Sequence, residues 1–157
     1  MKKSGAESSP RIRPANTRDA TGISELILGL LGFLLEDDAR SEAEAFLETL
    51  TPAATRERIS SASFRYYVAT DDSGISGVIG LRDNTHVYHL FVRPDCHRQG
   101  IAHSLWKYAL GKTDARVITV NSSMVAVPVY ERFGFEQSEP VRRENGLVFM
   151  PMEYARK

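Results

Sequence analysis

The chain has 157 residues, and its 20 lysines and arginines balance 20 aspartates and glutamates, so the formal net charge at pH 7 is zero. A chain without excess positive charge has no general attraction for nucleic acid or for an anionic membrane, and neither is a predicted partner. Its 42% hydrophobic and 25% charged residues are typical of a globular domain. The single cysteine excludes an internal disulfide and agrees with a cytoplasmic location.

The predicted elements form one domain of mixed α/β type. Residues 1–10 are small and polar, and we interpret them as a disordered leader or an expression remnant before a domain over residues 11–157. Apolar spacing and turn residues predict a first strand, a helix capped by Thr17 and continuing through Leu35, and further helical segments. The predicted strands are 11–15, 64–70, 77–81, 85–92, 116–120, 136–141 and 147–154. The further predicted helical segments are 41–50, 55–59, a helix opened by Gly100 and a helix following Ser123.

The strand at residues 85–92 leads directly into a turn and a helix. Pro94 ends the strand because proline cannot donate to a sheet ladder, and Gly100 opens the helix. A small residue at a helix start leaves the first backbone N–H groups uncovered, and these groups with the helix dipole favour an anion such as phosphate. Arg98 adds a positive charge at the same place. The segment therefore predicts a phosphate site on the backbone N–H groups of residues 98–103.

Two ordered motifs resemble those of the GNAT-type N-acetyltransferases. The first is a Val-x-Pro strand end at residues 92–94 followed by Gly-Ile-Ala at residues 100–102, where the family's pyrophosphate loop has Gly-x-Gly/Ala. His97 stands where the family usually has Gln or Arg. The second motif is Tyr-Glu-x-x-Gly-Phe at residues 130–135, after a strand and at the end of a helix. With the first strand and helix start, the resemblance covers nearly the whole chain after Pro10.

The resemblance implies a mixed, mostly antiparallel twisted sheet with helices on both faces. It also implies acetyl-CoA as the acyl donor, a primary amine of a small molecule or peptide as the acceptor, and no metal; a homodimer is left open. The pyrophosphate is expected on the loop and helix start, and the pantetheine arm along the preceding strand. The implied cofactor-binding residues are Leu90, Phe91, Val92, His97, Arg98, Gln99, Gly100, Ile101, Ala102, His103, Asn121 and Ser123.

Tyr130 lies at the position of the family tyrosine that is found near the thioester sulfur. A phenol with a pKa near 10 stays protonated at neutral pH, so it can donate a proton to the leaving thiolate. The resemblance therefore implies that Tyr130 is the general acid. The alternative is a core tyrosine whose hydroxyl is satisfied at the surface.

The general base is sought on the strand before the phosphate loop, where His86 and Tyr88 are the candidates. Strict alternation puts these two residues on one face with Leu90 and Val92, and puts His89 on the other. Histidine titrates near neutrality, and a base at His86 predicts a rate that rises with pH through the pKa of His86. A structural histidine is the alternative.

Further expectations concern neighbouring residues and rival functions. Ser123 is also a good helix N-cap, and Pro128 is expected to bend the second-motif helix. Cys96 beside the loop is interpreted as a bystander rather than a nucleophile, and opposite faces for His86 and His89 argue against a metal site. A nucleotide-dependent transferase is disfavoured because no Walker-type loop is present. The remaining rival is a non-catalytic module that binds or senses acyl-CoA.

Overall fold

A mixed sheet forms the centre of this computed structural model, which describes residues 10–31, 44–144 and 146–157. Its strand order is β1-β2-β3-β4-β5-β8-β6, and β7 pairs with β8 outside that path. All pairs are antiparallel except β4 with β5. The strands are β1 Arg11–Pro14, β2 Phe64–Asp71, β3 Gly74–Arg82, β4 His86–Val92, β5 Val117–Ser123, β6 Glu136–Gln137, β7 Arg142–Glu144 and β8 Leu147–Ala155.

Helices cover both faces of this sheet and bury two apolar clusters. Three of them, α1 to α3, belong to one face, and α4 and α5 belong to the other. Ile23 and Ile27, four residues apart in α1, pack over Val68 and Val78 of the sheet. On the opposite face Trp106 of α4 stacks on Phe133 of α5, with ring centroids 5.9 Å apart. The α/β class and the largely antiparallel sheet are therefore as predicted. The helices are α1 Ala20–Leu31, α2 Glu44–Glu48, α3 Pro52–Ser60, α4 Ile101–Leu110 and α5 Val127–Phe133.

Three local expectations about helix ends were wrong. Asn16, not Thr17, is the N-cap, and it forms a capping box with Asp19 at the start of a short 3-10 turn that precedes α1. Ser123 stays in β5, where its Oγ accepts a hydrogen bond from the Ala126 N–H at 3.2 Å. Pro128 is the second residue of α5, within the first turn. A proline there removes an N–H that has no helical partner anyway, so no bend is required.

Other predicted helix and strand bounds differ from the observed ones by a few residues, or fall outside the residues that the structure describes. β3 begins three residues earlier than predicted, and β5 continues to Ser123 instead of ending at Val120. Three predictions fall partly or wholly outside the described residues: the continuation of the first helix to Leu35, the start of the predicted segment 41–50 and the turn residue Asn145.

Strands β4 and β5 separate after a short parallel stretch. Both strands are fully described, and they pair with each other only through His86 with Thr119 and Val87 with Val120. Beyond that point β4 continues to pair with β3, and β5 continues to pair with β8. The separation leaves backbone of β4 available to a ligand, because each strand then has a partner on one side only.

A β-bulge in β4 reverses part of the predicted alternation. Leu81 of β3 pairs with Val87 and Gly80 pairs with His89, which leaves Tyr88 as the extra residue. Tyr88 and His89 therefore share the α1–α3 face, with ring centroids 4.4 Å apart. Leu90 and Val92 pack against the other cluster. The expectation that Tyr88, Leu90 and Val92 share a face opposite His89 was wrong. Side chains alternate between the two faces of a regular strand, and the one extra residue of the bulge interrupts that alternation.

The same bulge brings His86 and His89 to one face, against the opposite faces expected for them. Within the described residues, no three potential metal-ligating side chains lie close enough together to hold an ion. Within the same part of the chain, the helices are too short or too polar to cross a lipid bilayer.

Candidate active site

A cavity of about 830 Å³ opens where β4 and β5 separate. It runs from the last residues of β4 past the start of α4 to the inner face of α5. Its wall is mostly apolar, with histidine and arginine side chains near the helix start. The lining residues are Leu30, Leu90, Phe91, Val92, Pro94, Cys96, His97, Arg98, Gly100, Ile101, Ala102, His103, Ser123, Val125, Ala126, Val129, Tyr130, Arg132 and Phe133.

The start of α4 presents uncovered backbone N–H groups to this cavity. Gly100 is the N-cap with φ of 78°, and the first helical bond runs from the Ser104 N–H to the Gly100 carbonyl at 2.9 Å. The N–H groups of residues 101–103 therefore have no partner within the helix. A Cβ at Gly100 would have no atom within 4 Å, so the space in front of this end is open. Open space before bare N–H groups and a positive helix end fits a phosphate.

The loop between β4 and α4 is held in place by its own polar side chains. His97 donates from Nε2 to the Val92 carbonyl at 2.8 Å, which ties the loop to the end of β4. Arg93 pairs with Asp71 at 2.8 Å and with Asp95 at 2.7 Å, and these carboxylates raise its pKa. Arg98 has φ of 67°, which is rare for a residue with a side chain. The loop is thus preorganised around the helix start.

Tyr130 brings a phenol to the wall of the cavity from α5. Its side chain is only 5% exposed, and it meets the edges of Phe133 and Phe135 at centroid distances of 5.9 and 5.3 Å. Burial raises the pKa of Tyr130 above its ordinary value, because a phenolate would lose its hydration. The phenol therefore keeps its proton at neutral pH and can serve as a donor but not as an acceptor of a proton.

Most of the predicted cofactor-binding residues meet at this one cavity. Four predicted site residues do not line it. Gln99 faces back to the Asp95 carbonyl at 3.4 Å, and Asn121 is exposed on β5. His86 and Tyr88, the two base candidates, lie on β4 before the residues that line the cavity. The predicted residues that do line it are Leu90, Phe91, Val92, His97, Arg98, Gly100, Ile101, Ala102, His103, Ser123 and Tyr130.

His86 is a neutral imidazole at the closed end of the β4–β5 gap. Its Nδ1 lies 2.7 Å from the Thr119 hydroxyl of β5. Burial, with a smaller contribution from Arg82, lowers the pKa of His86 to about 4. With this pKa the imidazole is neutral throughout the physiological range, so the rise of rate expected for a base at His86 moves below that range.

A polar network on the α1–α3 face was not found from the sequence. Arg58 donates from Nε to the Tyr66 hydroxyl at 3.0 Å, and that hydroxyl lies 3.0 Å from Nδ1 of His89. His89 is 5% exposed, and its Nε2 is a buried atom for which the described residues offer no hydrogen-bond partner. Burial and the nearby Arg58 lower the pKa of His89 to about 3. The network could not be predicted from the sequence, because the bulge that turns His89 towards Tyr66 has no recognisable sequence pattern.

The contribution of α5 to the cavity was only partly recognised. Besides Tyr130, the helix and the turn before it supply Ala126, Val129 and Phe133 to the wall. Ala126 lies four residues before Tyr130 and Phe133 lies three after it, which is the spacing of one helix face, so helical periodicity could have identified these two. Cys96 also lines the cavity, with its Sγ 3.2 Å from Nη2 of Arg93.

Comparison with known proteins connects this geometry to one family. A family model described as "Acetyltransferase (GNAT) domain" matches residues 34–156. Among curated proteins, the UPF0157 protein YqkA of Bacillus subtilis is 30% identical over 79 residues. That match covers 46% of this chain and 23% of the relative, so the chain spans less than a quarter of its length.

Solved structures with the same fold cover almost the whole chain. A protein of Rhodopseudomonas palustris described as "GCN5-related N-acetyltransferase: Aminotransferase, Class-II" superposes with a TM-score of 0.76 at 22% identity, covering 94% of this chain and 96% of that one. The PaiA N-acetyltransferase of Thermoplasma acidophilum, solved with coenzyme A, gives 0.74 at 17% identity, with 94% and 99% coverage. A spermidine N-acetyltransferase chimera from Vibrio cholerae SpeG and hSSAT gives 0.64 at 17% identity, with 94% and 96% coverage. At these identities the likeness shows the fold alone.

Proposed function

The chain belongs to the GNAT acetyltransferase family, and we propose that, within this acyl-CoA-dependent acetyl transfer, it acetylates a primary amine of a small molecule or peptide. The amine attacks the bound acetyl thioester directly, in a ternary complex. The observation that carries the proposal is that one cavity joins the bare N-terminus of α4 to the buried phenol of Tyr130.

The α4 end of the cavity is suited to the pyrophosphate of acetyl-CoA. The uncovered N–H groups of residues 101–103 provide fixed donors, and Arg98 and His97 line the same region. The N-terminal dipole adds to the attraction for phosphate oxygens. Because His97 is already tied to the Val92 carbonyl, this loop loses little freedom when an anion binds.

The β4 and α5 walls are suited to the thioester end. Leu90, Phe91 and Val92 lie where β4 has separated from β5, so the backbone groups of this stretch that face away from β3 can pair with the amides of the pantetheine arm. Acetyl-CoA supplies the acetyl group in activated form, as a thioester. Tyr130 donates its proton to the sulfur as the carbon–sulfur bond breaks.

The amine proton is proposed to leave through water towards β4. His86 and Tyr88 lie outside the cavity, so neither acts by direct contact. His86 is neutral at physiological pH and has a ring nitrogen beyond the one that faces Thr119. It is the stronger candidate, because Tyr88 would have to lose its own proton before accepting another.

A test of acetyl transfer is to incubate the protein with acetyl-CoA and a panel of primary amines, and to follow free thiol against a control without amine. We expect thiol release that depends on one class of amine, with the acetylated amine found by mass spectrometry in equal amount. CoA binding without amine-dependent thiol release would instead favour the acyl-CoA-sensing module. Tyr130 argues for the enzyme, because a sensing module has no need of a proton donor in the cavity.

A further inference from the structure

Two arginines lie over one tyrosine ring on the α1–α3 face of the sheet. The guanidinium carbon of Arg58 is 5.3 Å from the centroid of Tyr88, and that of Arg82 is 5.9 Å away. Phe64 meets the Tyr88 ring edge-on at 5.1 Å. We call these four residues the arginine–tyrosine patch. Arg82 is exposed and Arg58 is half-buried, so the patch is open to a ligand from solvent.

The positive charge of this patch is not balanced by the described part of the chain. Neither Arg58 nor Arg82 forms an ion pair with a described carboxylate. Arg58 uses its Nε on the Tyr66 hydroxyl, and its Nη2 lies 3.5 Å from Thr55. Two guanidinium groups over one ring repel each other, and a shared anion removes that repulsion. Guanidinium groups match the oxygens of a carboxylate or phosphate, whereas they repel a polyamine.

The patch lies close to the inner end of the cavity. Tyr88 is three residues before Phe91, which lines the cavity on the same face of β4. At a rise of about 3.3 Å per residue, the two positions are about 10 Å apart along the strand. His89 lies between them, with ring centroids 4.4 Å from Tyr88 and 5.8 Å from Phe91. The unpartnered Nε2 of His89 belongs to this intervening group, and such buried polar atoms are rare away from functional sites.

We propose that the arginine–tyrosine patch recognises the acceptor, and that the acceptor is an amine carrying a carboxylate or phosphate. This inference rests on the proposed acetyl transfer. Arg58 and Arg82 hold the anionic group over Tyr88, and the rest of the molecule runs along β4 to place its amine near Phe91. The two arginines are specificity residues, and they take no part in proton transfer.

Matched pairs of amines test this proposal directly. The pairs are 8-aminooctanoate with 8-aminooctanamide, triglycine with triglycinamide, and 6-aminohexyl phosphate with 6-aminohexanol, because these molecules can span about 10 Å between their two ends; spermidine is the cationic probe. Initial rates of thiol release at fixed acetyl-CoA give kcat/KM for each. We expect the anionic member of at least one pair to exceed its neutral partner by about tenfold or more, the value of one charged hydrogen bond. The carboxylate and phosphate pairs distinguish the two anions.

Arg82→Gln is the decisive variant, because Arg82 is exposed and its loss does not open the core. We expect it to reduce the anionic-to-neutral ratio about tenfold by raising KM for the anionic amine. Arg65→Gln is the charge-matched control. Arg65 is exposed on β2, paired with Leu81 next to Arg82, but alternation puts its side chain on the opposite face. This control should leave the ratio within about twofold.

Titration with CoA, together with thiol release across the whole amine panel, separates failure of this inference from failure of acetyl transfer itself. If wild type does not bind CoA, or binds CoA but releases thiol with no amine of the panel, the proposed function is wrong. If CoA binds and neutral amines or spermidine are acetylated in preference to the anionic amines, the patch does not recognise the acceptor. Equal effects of Arg82→Gln and Arg65→Gln on the anionic-to-neutral ratio would also overturn the proposal, since such effects would reflect only the change in net charge.

Discussion

Tyr130 is the residue that joins the cavity to the proposed chemistry. Replacing Tyr130 by phenylalanine removes only the hydroxyl and keeps the ring that packs on Phe133 and Phe135. We expect turnover to fall by about 10²–10⁴-fold, the usual contribution of a general acid, while CoA affinity changes little. Single-turnover rates and CoA titration measure the two quantities separately.

Tyr108→Phe is the matched control for that substitution. Tyr108 lies in α4, stacks edge-on against Tyr67 at 5.2 Å and does not line the cavity, so the same atom is removed away from the site. We expect near-normal turnover for this variant. Equal single-turnover rates for Tyr130→Phe and Tyr108→Phe would reduce Tyr130 to a packing residue.

His86 gives a pH dependence that differs from that of an ordinary histidine. Burial lowers its pKa to about 4, so it loses its charge below pH 5 and stays neutral through pH 8. We expect kcat/KM profiles of wild type and His86→Asn to have the same shape between pH 5.5 and 8, with the variant lower by a constant factor. An inflection near pH 6.5 in wild type that disappears in His86→Asn would show that the imidazole titrates there.

At the scale of elements, Gly80 lets the ring of Tyr66 cross β3 to reach His89. A Cβ at Gly80 would lie 2.6 Å from Cε2 and 2.7 Å from Cζ of Tyr66. That ring cannot easily move, because it is 4% exposed and its hydroxyl is bound to Arg58 and His89. We expect Gly80→Ala to lower the free energy of unfolding by about 1–3 kcal/mol, the usual cost of overpacking, as measured by urea denaturation.

Gly29→Ala is the control for the glycine substitution. Gly29 is exposed in α1, and a Cβ there has no atom within 4 Å. We expect this change to raise the free energy of unfolding by up to about 1 kcal/mol, since alanine favours a helix. If Gly80→Ala also stabilised the protein, Tyr66 would not be confined over β3.

Some of these elements could be predicted from the sequence, and others could not. The turn after β4 and the start of α4 could be predicted because proline and glycine act locally, and the second motif placed Tyr130 in a helix. The bulge at Tyr88 could not be predicted. A strand is recognised by apolar residues at every second position, and the extra residue of a bulge has no sequence pattern of its own. The base candidates depended on that alternation. The network around His89 was missed for the same reason.

For the whole molecule, the site follows from where the sheet separates. β4 leaves β5 after two parallel pairs, and α4 and α5 lie on one face beside the resulting gap. The gap exposes strand backbone, the start of α4 provides bare N–H groups, and α5 provides the phenol. The opposite face carries the arginine–tyrosine patch, so the proposed donor and acceptor sites lie on different sides of β4.

Isothermal titration of wild type and Gly100 variants with CoA tests most directly whether this cavity holds the acyl donor. Gly100→Glu puts a negative charge at the phosphate site, and two like charges 4 Å apart cost on the order of 4 kcal/mol near a protein surface. Gly100→Asn controls for the φ of 78°, since asparagine tolerates that conformation. We predict saturable binding of one CoA per chain by wild type, weaker binding by Gly100→Asn and none detectable by Gly100→Glu. Unchanged CoA affinity in a folded Gly100→Glu variant, or no binding by wild type, would contradict the assignment.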